Sequence, residues 1–371
     1  MNKKLGLAVA GALVAFSSAA NAGITIPAGD WTVDIGGNVN AYYTNVDTKV
    51  NGVNSPNTNT IGTGLLPAAF GIGAKTRQND LDIAFQFSFF TGTSSGTNAG
   101  AGNNTLNIRQ AFVTFGDASW GTIKAGRDLG VFGSDAILSD MTLLGVGTGG
   151  AAGGSSTLGR IGSGYIYADW KGQFQYSSPN WNGFQVTAAA VEGFSNGKED
   201  LGYEAKATYD FAANDVTGRV WLGGISQKTS GLNSYTSNGV EVGAKAAYQG
   251  FGLVGYYYDG KGLDGQNGAI AQGIFNSNLE NSKDSGGYVQ ATFVVPGIGT
   301  KLGASYGISN SKAANGASWN YENESWIVGA YHPLTKSLNL VAEYTAQEVK
   351  EKVAAAKTEK DTISLGAILF F

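Results

Sequence analysis

Few residues of this sequence have the types and spacing that catalysis or cofactor binding requires. The one histidine, His332, stands before Pro333, whereas a Ser–His catalytic pair or a histidine-rich metal site needs further groups nearby. Gly145–Gly150 has a GxGxxG spacing, but a dinucleotide site also needs a preceding strand, a following helix and a later acidic residue. That segment is instead a low-complexity loop. We therefore expect neither an enzyme nor a cofactor.

Four carboxylates stand in or near segments that we expect to connect strands, and oxygen ligands of this kind can bind calcium. They are Glu280, Asp284, Glu322 and Glu324. We interpret these carboxylates as a solvated acidic surface, so the sequence predicts no metal site.

The composition is typical of a membrane barrel rather than of a soluble domain. The 371 residues include 57 Gly, 6 Pro and 14% charged residues, whereas ordinary globular proteins have about 7% Gly and about 25% charged residues. In a membrane barrel one face of each strand meets lipid and the other meets water, which requires many apolar residues and few charges. The net charge of −4 argues against a nucleic-acid partner, since such a partner calls for a basic stripe.

The N-terminus has the pattern of a secretory signal peptide. Lys3 and Lys4 precede a short apolar stretch from Leu5 to Phe16, and Ala20–Ala22 has the small-x-small pattern of a cleavage site. The apolar stretch is shorter than the roughly 20 residues that a membrane-spanning helix needs. We expect residues 1–22 to be removed and a single barrel domain to occupy residues 23–371.

Apolar and polar residues alternate along many short segments, which predicts strands with one apolar face. In one segment Val240, Val242 and Ala244 alternate with Glu241, Gly243 and Lys245. Sixteen segments of this kind predict sixteen strands. They cover residues 30–46, 67–76, 79–91, 105–116, 120–127, 168–178, 183–192, 201–211, 216–227, 238–249, 251–259, 285–295, 300–309, 324–332, 337–349 and 359–371.

The connections between these predicted strands alternate between short and long, which favours a transmembrane barrel over a soluble β-sandwich. Short ones include Gln249–Gly250 and Pro333–Ser337. The long ones cover residues 47–66, 92–104, 128–167, 260–284, 310–323 and 350–358. The third of these, 128–167, is long enough to have a function of its own. Its segment Gly145–Ser156 is nearly all Gly, Ala, Ser and Thr, a composition that would let it fold into the lumen.

Several motifs in this order resemble the Gram-negative general porin family. Asn107–Val113 followed by Trp120–Arg127 resembles the paired strands before the family's third loop, and Asp135–Met141 is similar to the opening of that loop. Tyr176–Phe184 resembles a turn of the family, and Phe371 stands where the family's last strand ends in Phe. The resemblance covers nearly the whole chain after residue 22. It implies an outer-membrane location, an all-β barrel of about sixteen strands, an inward-folded third loop and a homotrimer.

The resemblance also implies a pore constriction in which basic side chains of the wall face acidic side chains of the third loop. The residues that we assign to it are Arg109, Asp135, Asp140, Arg160 and Lys171. Arg109 shares the parity of Ala111 and Val113, which we expect to face inward. Arg160 and Lys171 are alternatives for one wall position, because the sequence does not align uniquely there.

Three positions depart from the family's pattern of charges. Ala69 and Asn107 stand where relatives often have basic residues, and Leu144 stands where an acidic residue is expected. We therefore predict a passive channel for small hydrophilic solutes and ions with weak charge selectivity. A substrate-selective porin for a particular anion or sugar is the alternative.

Overall fold

Antiparallel strands make up nearly all the regular structure in the described part of this protein. The computed structural model describes residues 23–92, 106–149, 156–192, 200–229, 235–263, 282–313 and 319–371. The predicted signal peptide, residues 1–22, lies outside the described residues. No helix within them is long and apolar enough to cross a membrane.

The strands within the described residues are numbered in chain order. They are Ile24–Ala28 (β1), Trp31–Val50 (β2), Val53–Asn54 (β3), Thr58–Gly62 (β4), Ala68–Gln78 (β5), Leu81–Thr91 (β6), Asn107–Asp117 (β7), Gly121–Leu129 (β8), Trp170–Ser177 (β9), Phe184–Val191 (β10), Gly202–Ala213 (β11), Val216–Thr229 (β12), Tyr235–Tyr248 (β13), Phe251–Lys261 (β14), Ser282–Val294 (β15), Lys301–Ala313 (β16), Asn320–Pro333 (β17), Leu338–Glu351 (β18) and Ala356–Phe370 (β19).

These segments, counted over the described residues, form sixteen strand positions of a closed antiparallel barrel, as predicted. β3, β4 and β5 follow one another along one edge of β2 and together form one position. On the other edge of β2, β19 is continued by β1. At that junction Gly37 and Phe371 exchange two backbone hydrogen bonds of 2.9 and 3.1 Å. Closure leaves none of the described strands with a free sheet edge, which is the condition for β-structure in lipid.

The predicted alternation of side chains between two faces is confirmed along most strands. On β13, Val240 and Val242 are at least half exposed on the outer surface, whereas Glu241 between them is buried inside the barrel. On β9, Lys171 and Gln173 are buried and Phe174 is exposed. Apolar side chains can face outward without loss because lipid, not water, surrounds a membrane barrel.

The connections at one end of the barrel are tight turns. Gln249 and Gly250, which join β13 to β14, have φ values of 44° and 87°. Two successive residues with positive φ form the type I′ turn that suits the twist of a hairpin. The predicted short connections thus lie at one end of the barrel, which in outer-membrane barrels is the end that faces the periplasm.

Two of the predicted long connections are wrong in extent. β2 continues to Val50 and β4 covers Thr58–Gly62, so that most of 47–66 is strand. Likewise β18 and β19 leave only residues 352–355 between them, where we predicted a connection from 350 to 358. In the second case Lys350 forms ion pairs with Glu322 and Glu324 of β17. Charged pairs across strands let the hairpin extend beyond the apolar band, and alternation of apolar residues cannot reveal such an extension.

The third loop connects β8 to β9, and its described residues, 130–149 and 156–169, lie inside the barrel, as predicted. It contains a short helix, Ser134–Ser139 (α1), and a 3-10 helix, Met141–Leu144. The sequence analysis did not predict either helix. Both have buried residues, among them Ala136, Ile137 and Met141, so packing against the barrel wall rather than local composition explains them.

Candidate pore constriction

Three glutamates of the inner wall bind backbone N–H groups of the third loop. Glu204 of β11 accepts hydrogen bonds from Val131 and Phe132 at 2.6 and 2.9 Å. Glu241 of β13 accepts one from Gly133 at 2.9 Å. Glu343 of β18 accepts from Val146 and Gly147, both at 2.8 Å, and from the Tyr331 hydroxyl at 2.6 Å. Hydrogen bonds to carboxylates are stronger than those between neutral groups. The loop is therefore held at its start, residues 131–133, and again at residues 146 and 147.

An apolar and aromatic layer fills the space between α1 and the wall. Ile137 and Phe132 pack in one cluster with side chains of β12, β14 and β15, which are Trp221, Tyr256, Tyr258 and Tyr288. Tyr288 donates a hydrogen bond of 2.8 Å to the carbonyl of Ala136. Close packing of this kind makes the position of α1 fixed rather than adjustable.

Asp135 of α1 faces two cations of the barrel wall. Its carboxylate forms ion pairs with Lys206 of β11 and, at 3.0 Å, with Arg219 of β12. Arg219 also binds Asp210 through two hydrogen bonds of 2.6 and 2.7 Å. Burial alone would raise the pKa of Asp135, but the two cations outweigh it and hold the pKa at about 2. The carboxylate is therefore ionised throughout the physiological pH range.

Asp140 and Arg160 join the two arms of the loop. Asp140 accepts hydrogen bonds from the Tyr165 hydroxyl at 2.8 Å and from the backbone N–H of Arg160 at 3.2 Å. The guanidinium of Arg160 donates to the hydroxyls of Ser305 and Ser325 on β16 and β17, at 2.6 and 3.0 Å. Burial lowers the pKa of Arg160, while Asp140 opposes that shift. Through these hydrogen bonds Arg160 attaches the loop to the wall. Its side chain does not contact water, because Arg160 is 0% exposed.

Lys171, the alternative to Arg160 in the sequence analysis, lies on the inner face of β9. It forms an ion pair with Glu204, and both side chains are buried. The structure thus places Arg160 and Lys171 at different contacts between loop and wall, rather than one of them at a shared position. Both are enclosed, so neither presents a free charge to the lumen.

Arg109 lies at an irregularity of β7. Ser88 of β6 pairs with Gln110, whereas the next residue, Phe89, pairs with Ile108, so Arg109 has no partner in the register. Its guanidinium lies over the rings of Phe90 and Trp170, at 4.8 and 5.9 Å from their centres.

The predicted inward parity of Ala111 and Val113 on β7 is wrong, and the bulge separates Arg109 from their alternation. Val113 is 40% exposed on the outer surface, whereas Gln110, Phe112 and Thr114 are buried. A bulge adds one residue to a strand and reverses the alternation beyond it. Ala111 and Val113 lie on the same side of the bulge and share the outward parity, whereas the bulge turns Arg109 toward Phe90.

The departures from the family's charges lie at the wall and the loop. Ala69 pairs with Asn38 across β5 and β2 and is buried, and Asn107 pairs with Phe90. Leu144 ends the 3-10 helix, and its carbonyl accepts a hydrogen bond of 2.7 Å from Tyr42. Beside them the inner faces of β6 and β7 carry uncharged polar side chains, which are Gln86, Ser88, Gln110 and Thr114.

The sequence analysis missed a basic group on the wall beside α1. Lys206, Arg219 and Lys245 share the inward parity of three consecutive strands, and Arg219 is directly opposite Lys245 in the register. Lys245 forms no ion pair within the described residues. The inward parity of Lys206, Arg219 and Lys245 on strands that were predicted correctly is the signal that would have identified this group.

A cavity of about 340 Å³ lies next to this group, near the end of the barrel with the tight turns. Its lining includes Asp210, Arg219, Lys245, Val254 and Thr292. Three cations with the carboxylates of Asp135 and Asp210 give a net charge of 3 − 2 = +1. The arrangement can attract a small anion weakly, but it does not form a strongly charged filter.

Within the described residues, no three His, Cys, Asp or Glu side chains are grouped so that they could hold a metal ion. Asp284, one of the carboxylates considered for calcium, instead accepts hydrogen bonds from Ser282 and Ser311, both at 2.6 Å. Glu322 and Glu324 lie beside Lys350, and Glu280 lies outside the described residues.

Comparison with known proteins identifies relatives at the level of family and fold. The family model described as Gram-negative porin matches residues 8–352. A search of curated proteins finds no match.

Solved structures of outer-membrane proteins match over nearly the whole chain. The outer-membrane channel DcaP of Acinetobacter baumannii is 16% identical, with a TM-score of 0.68 over 94% of this chain and 100% of that one. An anion-selective porin from Comamonas acidovorans is 16% identical, with a TM-score of 0.64 over 92% and 100%. The trimer form of OmpT from Vibrio cholerae is 16% identical, with a TM-score of 0.58 over 92% and 99%.

Proposed function

The chain belongs to the family of Gram-negative porins, which form channels across the outer membrane, and from this we propose that it is a passive, weakly charge-selective diffusion channel. Its solutes would be small hydrophilic molecules and ions. Diffusion down a gradient needs no catalytic group or cofactor, so we also propose that the protein is not an enzyme.

The observation that carries weak selectivity is the mutual neutralisation of charges around the third loop. Lys171 pairs with Glu204, and Asp135 pairs with Lys206 and Arg219. Paired charges of opposite sign largely cancel at a distance, and salt screens what is left over about 8–10 Å. An ion in the lumen would therefore experience a small net field, positive near the cavity beside Arg219.

Arg109, Asp135, Asp140, Arg160 and Lys171 stay our proposal for residues of the constriction, with distinct roles. We propose that Asp140, Arg160 and Lys171 fix the loop, because they are buried. Asp135 would affect passing ions indirectly, because it neutralises part of the positive charge of Lys206 and Arg219. Arg109 would contribute its positive charge to the constriction from its position over the ring of Phe90.

The alternative of a substrate-selective channel divides into two cases. A sugar channel needs aromatic side chains that are exposed along the lumen, but Trp221, Tyr256, Tyr258 and Tyr288 are at most 5% exposed beneath α1. An anion channel agrees better with the net positive charge beside Arg219, and one structure of similar fold is an anion-selective porin. We therefore keep an anion preference as the second candidate.

Solute flux into liposomes tests the proposal. Proteoliposomes with the purified protein should swell in solutions of small neutral sugars, at rates that fall smoothly as the solute becomes larger. Swelling with one sugar but not with others of the same size would favour a substrate-selective channel. No swelling with any solute would contradict a diffusion channel.

We further propose that the protein is a homotrimer and that residues 1–22 are cleaved on export. A structure of similar fold is described in a trimer form, and this supports the proposal of a trimer. Three equal current steps per insertion event in a planar bilayer would support the trimer, and single steps would contradict it. The intact mass of the protein isolated from outer membranes would show whether the chain begins at Gly23.

A further inference from the structure

Two lysines of the inner wall have no carboxylate partner within the described residues. Lys245 of β13 lines the cavity beside Arg219. Nζ of Lys301 on β16 lies 4.7 Å from the centre of the Tyr331 ring. The other inward-facing cations toward the tight turns, counted over the described strands, are paired: Lys75 with Asp34, Arg77 with Asp82, Lys124 with Asp128, Lys206 with Asp135, and Arg219 with Asp135 and Asp210.

Both lysines lie on the lumen side of their strands. Lys245 shares the parity of Glu241, which is buried inside the barrel. Lys301 shares the parity of Ser305, whose hydroxyl accepts a hydrogen bond from the guanidinium of Arg160. Leu302, which follows Lys301, is exposed on the outer surface.

Both lysines also lie on one side of the third loop. Lys245 follows Glu241, which binds Gly133 of the loop, by four residues and is near the end of β13. Lys301 is the first residue of β16 and precedes Ser305 by four residues. Four residues of a strand measure about 13 Å, so both lysines lie between the loop and the tight turns. We call this part of the lumen the periplasmic vestibule, because the tight turns mark the periplasmic end.

The lumen toward the opposite, extracellular end has no such excess of positive charge. Among the inward-facing residues of the described strands there, Arg109 and Lys360 are balanced by Asp284 and Glu351. The net charge of these four residues is 2 − 2 = 0. The wall charge of the channel is therefore asymmetric along the pore axis.

Carboxylates of the periplasmic turns do not cancel the charge of the vestibule. Asp30, Asp80 and Asp215 are exposed, and salt in the surrounding water screens such charges over about 8–10 Å. A narrow lumen with protein walls instead focuses the field of the charges that line it. An ion in the vestibule thus experiences two uncompensated positive charges, those of Lys245 and Lys301.

We infer that this one-sided charge makes the channel rectify: it conducts better when the voltage drives anions from the periplasmic vestibule toward the extracellular end. The vestibule carries current mainly as anions, whereas the neutral part of the lumen carries it as both anions and cations. When anions move out of the vestibule, both kinds of ion therefore accumulate at the boundary and the conductance rises. When the voltage is reversed, both are depleted there and the conductance falls. This inference rests on the proposed function and adds Lys245 and Lys301 as the residues that set the direction of easier anion flow.

Current–voltage curves of single channels in planar bilayers test the inference. In about 0.1 M potassium chloride the current should be about 1.5- to 2-fold larger at one polarity, and in about 1 M the ratio should approach 1, because the Debye length falls from about 10 Å to about 3 Å. The variant K245Q/K301Q should give equal currents at both polarities. The matched control K283Q/K312Q removes two exposed lysines of the outer surface and should keep the ratio of the unmodified protein.

An introduced cysteine tests the sign of the charge in a single folded variant. The sequence has no cysteine, so K245C/K301Q has one site for thiol-specific reagents. A small positively charged reagent should restore the rectification, and a negatively charged reagent of the same size should reverse the favoured polarity. A reagent too large to pass the loop reaches residue 245 only from the periplasmic side, so the chamber from which it lowers the current identifies the orientation of the channel.

Three results would overturn the inference. They are equal currents at both polarities in the unmodified protein, an unchanged ratio in K245Q/K301Q, and the same effect of the two oppositely charged reagents. Better conduction when anions are driven toward the periplasmic end would also contradict it. In all these cases the channel still conducts, whereas failure of the proposed function would leave the bilayer non-conducting.

Discussion

Asp135 of the third loop and Arg219 of the barrel wall are joined by an ion pair of 3.0 Å, and the same carboxylate also binds Lys206. One loop residue thus neutralises part of a basic group on the wall. The electrostatic field in the lumen therefore depends on the position of the loop, and the same ion pairs help to hold the loop in that position. Without Asp135 the group of Lys206, Arg219, Lys245 and Asp210 would change from +1 to +2.

The first prediction concerns ion selectivity. The substitution Asp135→Asn should move the reversal potential under a salt gradient toward anion selectivity, because it exposes the charges of Lys206 and Arg219. The matched control Asp215→Asn removes a carboxylate from an exposed tight turn between β11 and β12 and should leave the potential unchanged. An equal shift in both variants, or none in Asp135→Asn, would refute the role of this residue.

The second prediction concerns stability at acid pH. The pKa of Asp135 is lowered from 3.8 to about 2 in the folded protein, so the ionised carboxylate adds about 2 kcal/mol to the free energy of unfolding above pH 4. This contribution is lost as the pH falls from about 4 through 2. Urea unfolding in lipid vesicles should show that Asp135→Asn is less stable than the unmodified protein at pH 7 and that the difference disappears near pH 2. A difference that is the same at every pH would contradict the ion pair.

The third prediction concerns the anchor at Arg160. Arg160→Met removes the hydrogen bonds to Ser305 and Ser325, so the returning arm of the loop should move more freely and the open-channel current should become noisier. The free energy of unfolding should fall by about 2 kcal/mol, because the buried hydroxyls of Ser305 and Ser325 lose hydrogen bonds to a charged group.

Arg160→Lys is the conservative comparison at the same site. Lysine keeps the charge but has fewer donors in a fixed geometry, so this variant should show intermediate noise. Quiet currents from Arg160→Met would mean that Arg160 does not hold the loop.

The fourth prediction concerns the contact of the third loop with β18 at residues 146 and 147. Glu343→Ala removes the acceptor of Val146 and Gly147, and each buried N–H without a partner costs about 1–3 kcal/mol. Residues 146 and 147 should detach from β18, which should increase the single-channel conductance or its fluctuation. Tyr331→Phe removes only the hydroxyl that donates to Glu343 and should have a smaller effect. If both substitutions behave alike, the backbone contacts of Glu343 do not fix the loop.

The strands were predictable from sequence because alternation reports directly on lipid and lumen faces. Val240 and Glu241 are neighbours with opposite environments, and their order in the sequence is sufficient to assign both faces. Arg109 shows the limit of this reasoning, since the bulge between β6 and β7 leaves no mark in the order of polar and apolar residues. The extension of β18 beyond residue 349 was missed for a related reason, because it depends on charge pairs between strands.

The contacts of the candidate constriction could be predicted only in part. The inward third loop and several of its charged residues followed from a family resemblance, but their partners did not. Asp135 meets Arg219, 84 residues later, because the loop crosses the lumen to a distant strand. Arg160 likewise lies against Ser305, 145 residues later. Such pairings depend on where a loop without regular structure folds, and no local pattern specifies that.

The reversal potential of the unmodified protein in a planar bilayer, under a tenfold gradient of potassium chloride, tests the central claim most directly. A perfectly selective channel would give about 59 mV for a monovalent ion. We predict a conducting channel whose potential is well below half of that value and, if not zero, has the sign of anion preference. A potential close to the ideal value, or a bilayer that stays non-conducting, would contradict a weakly selective channel.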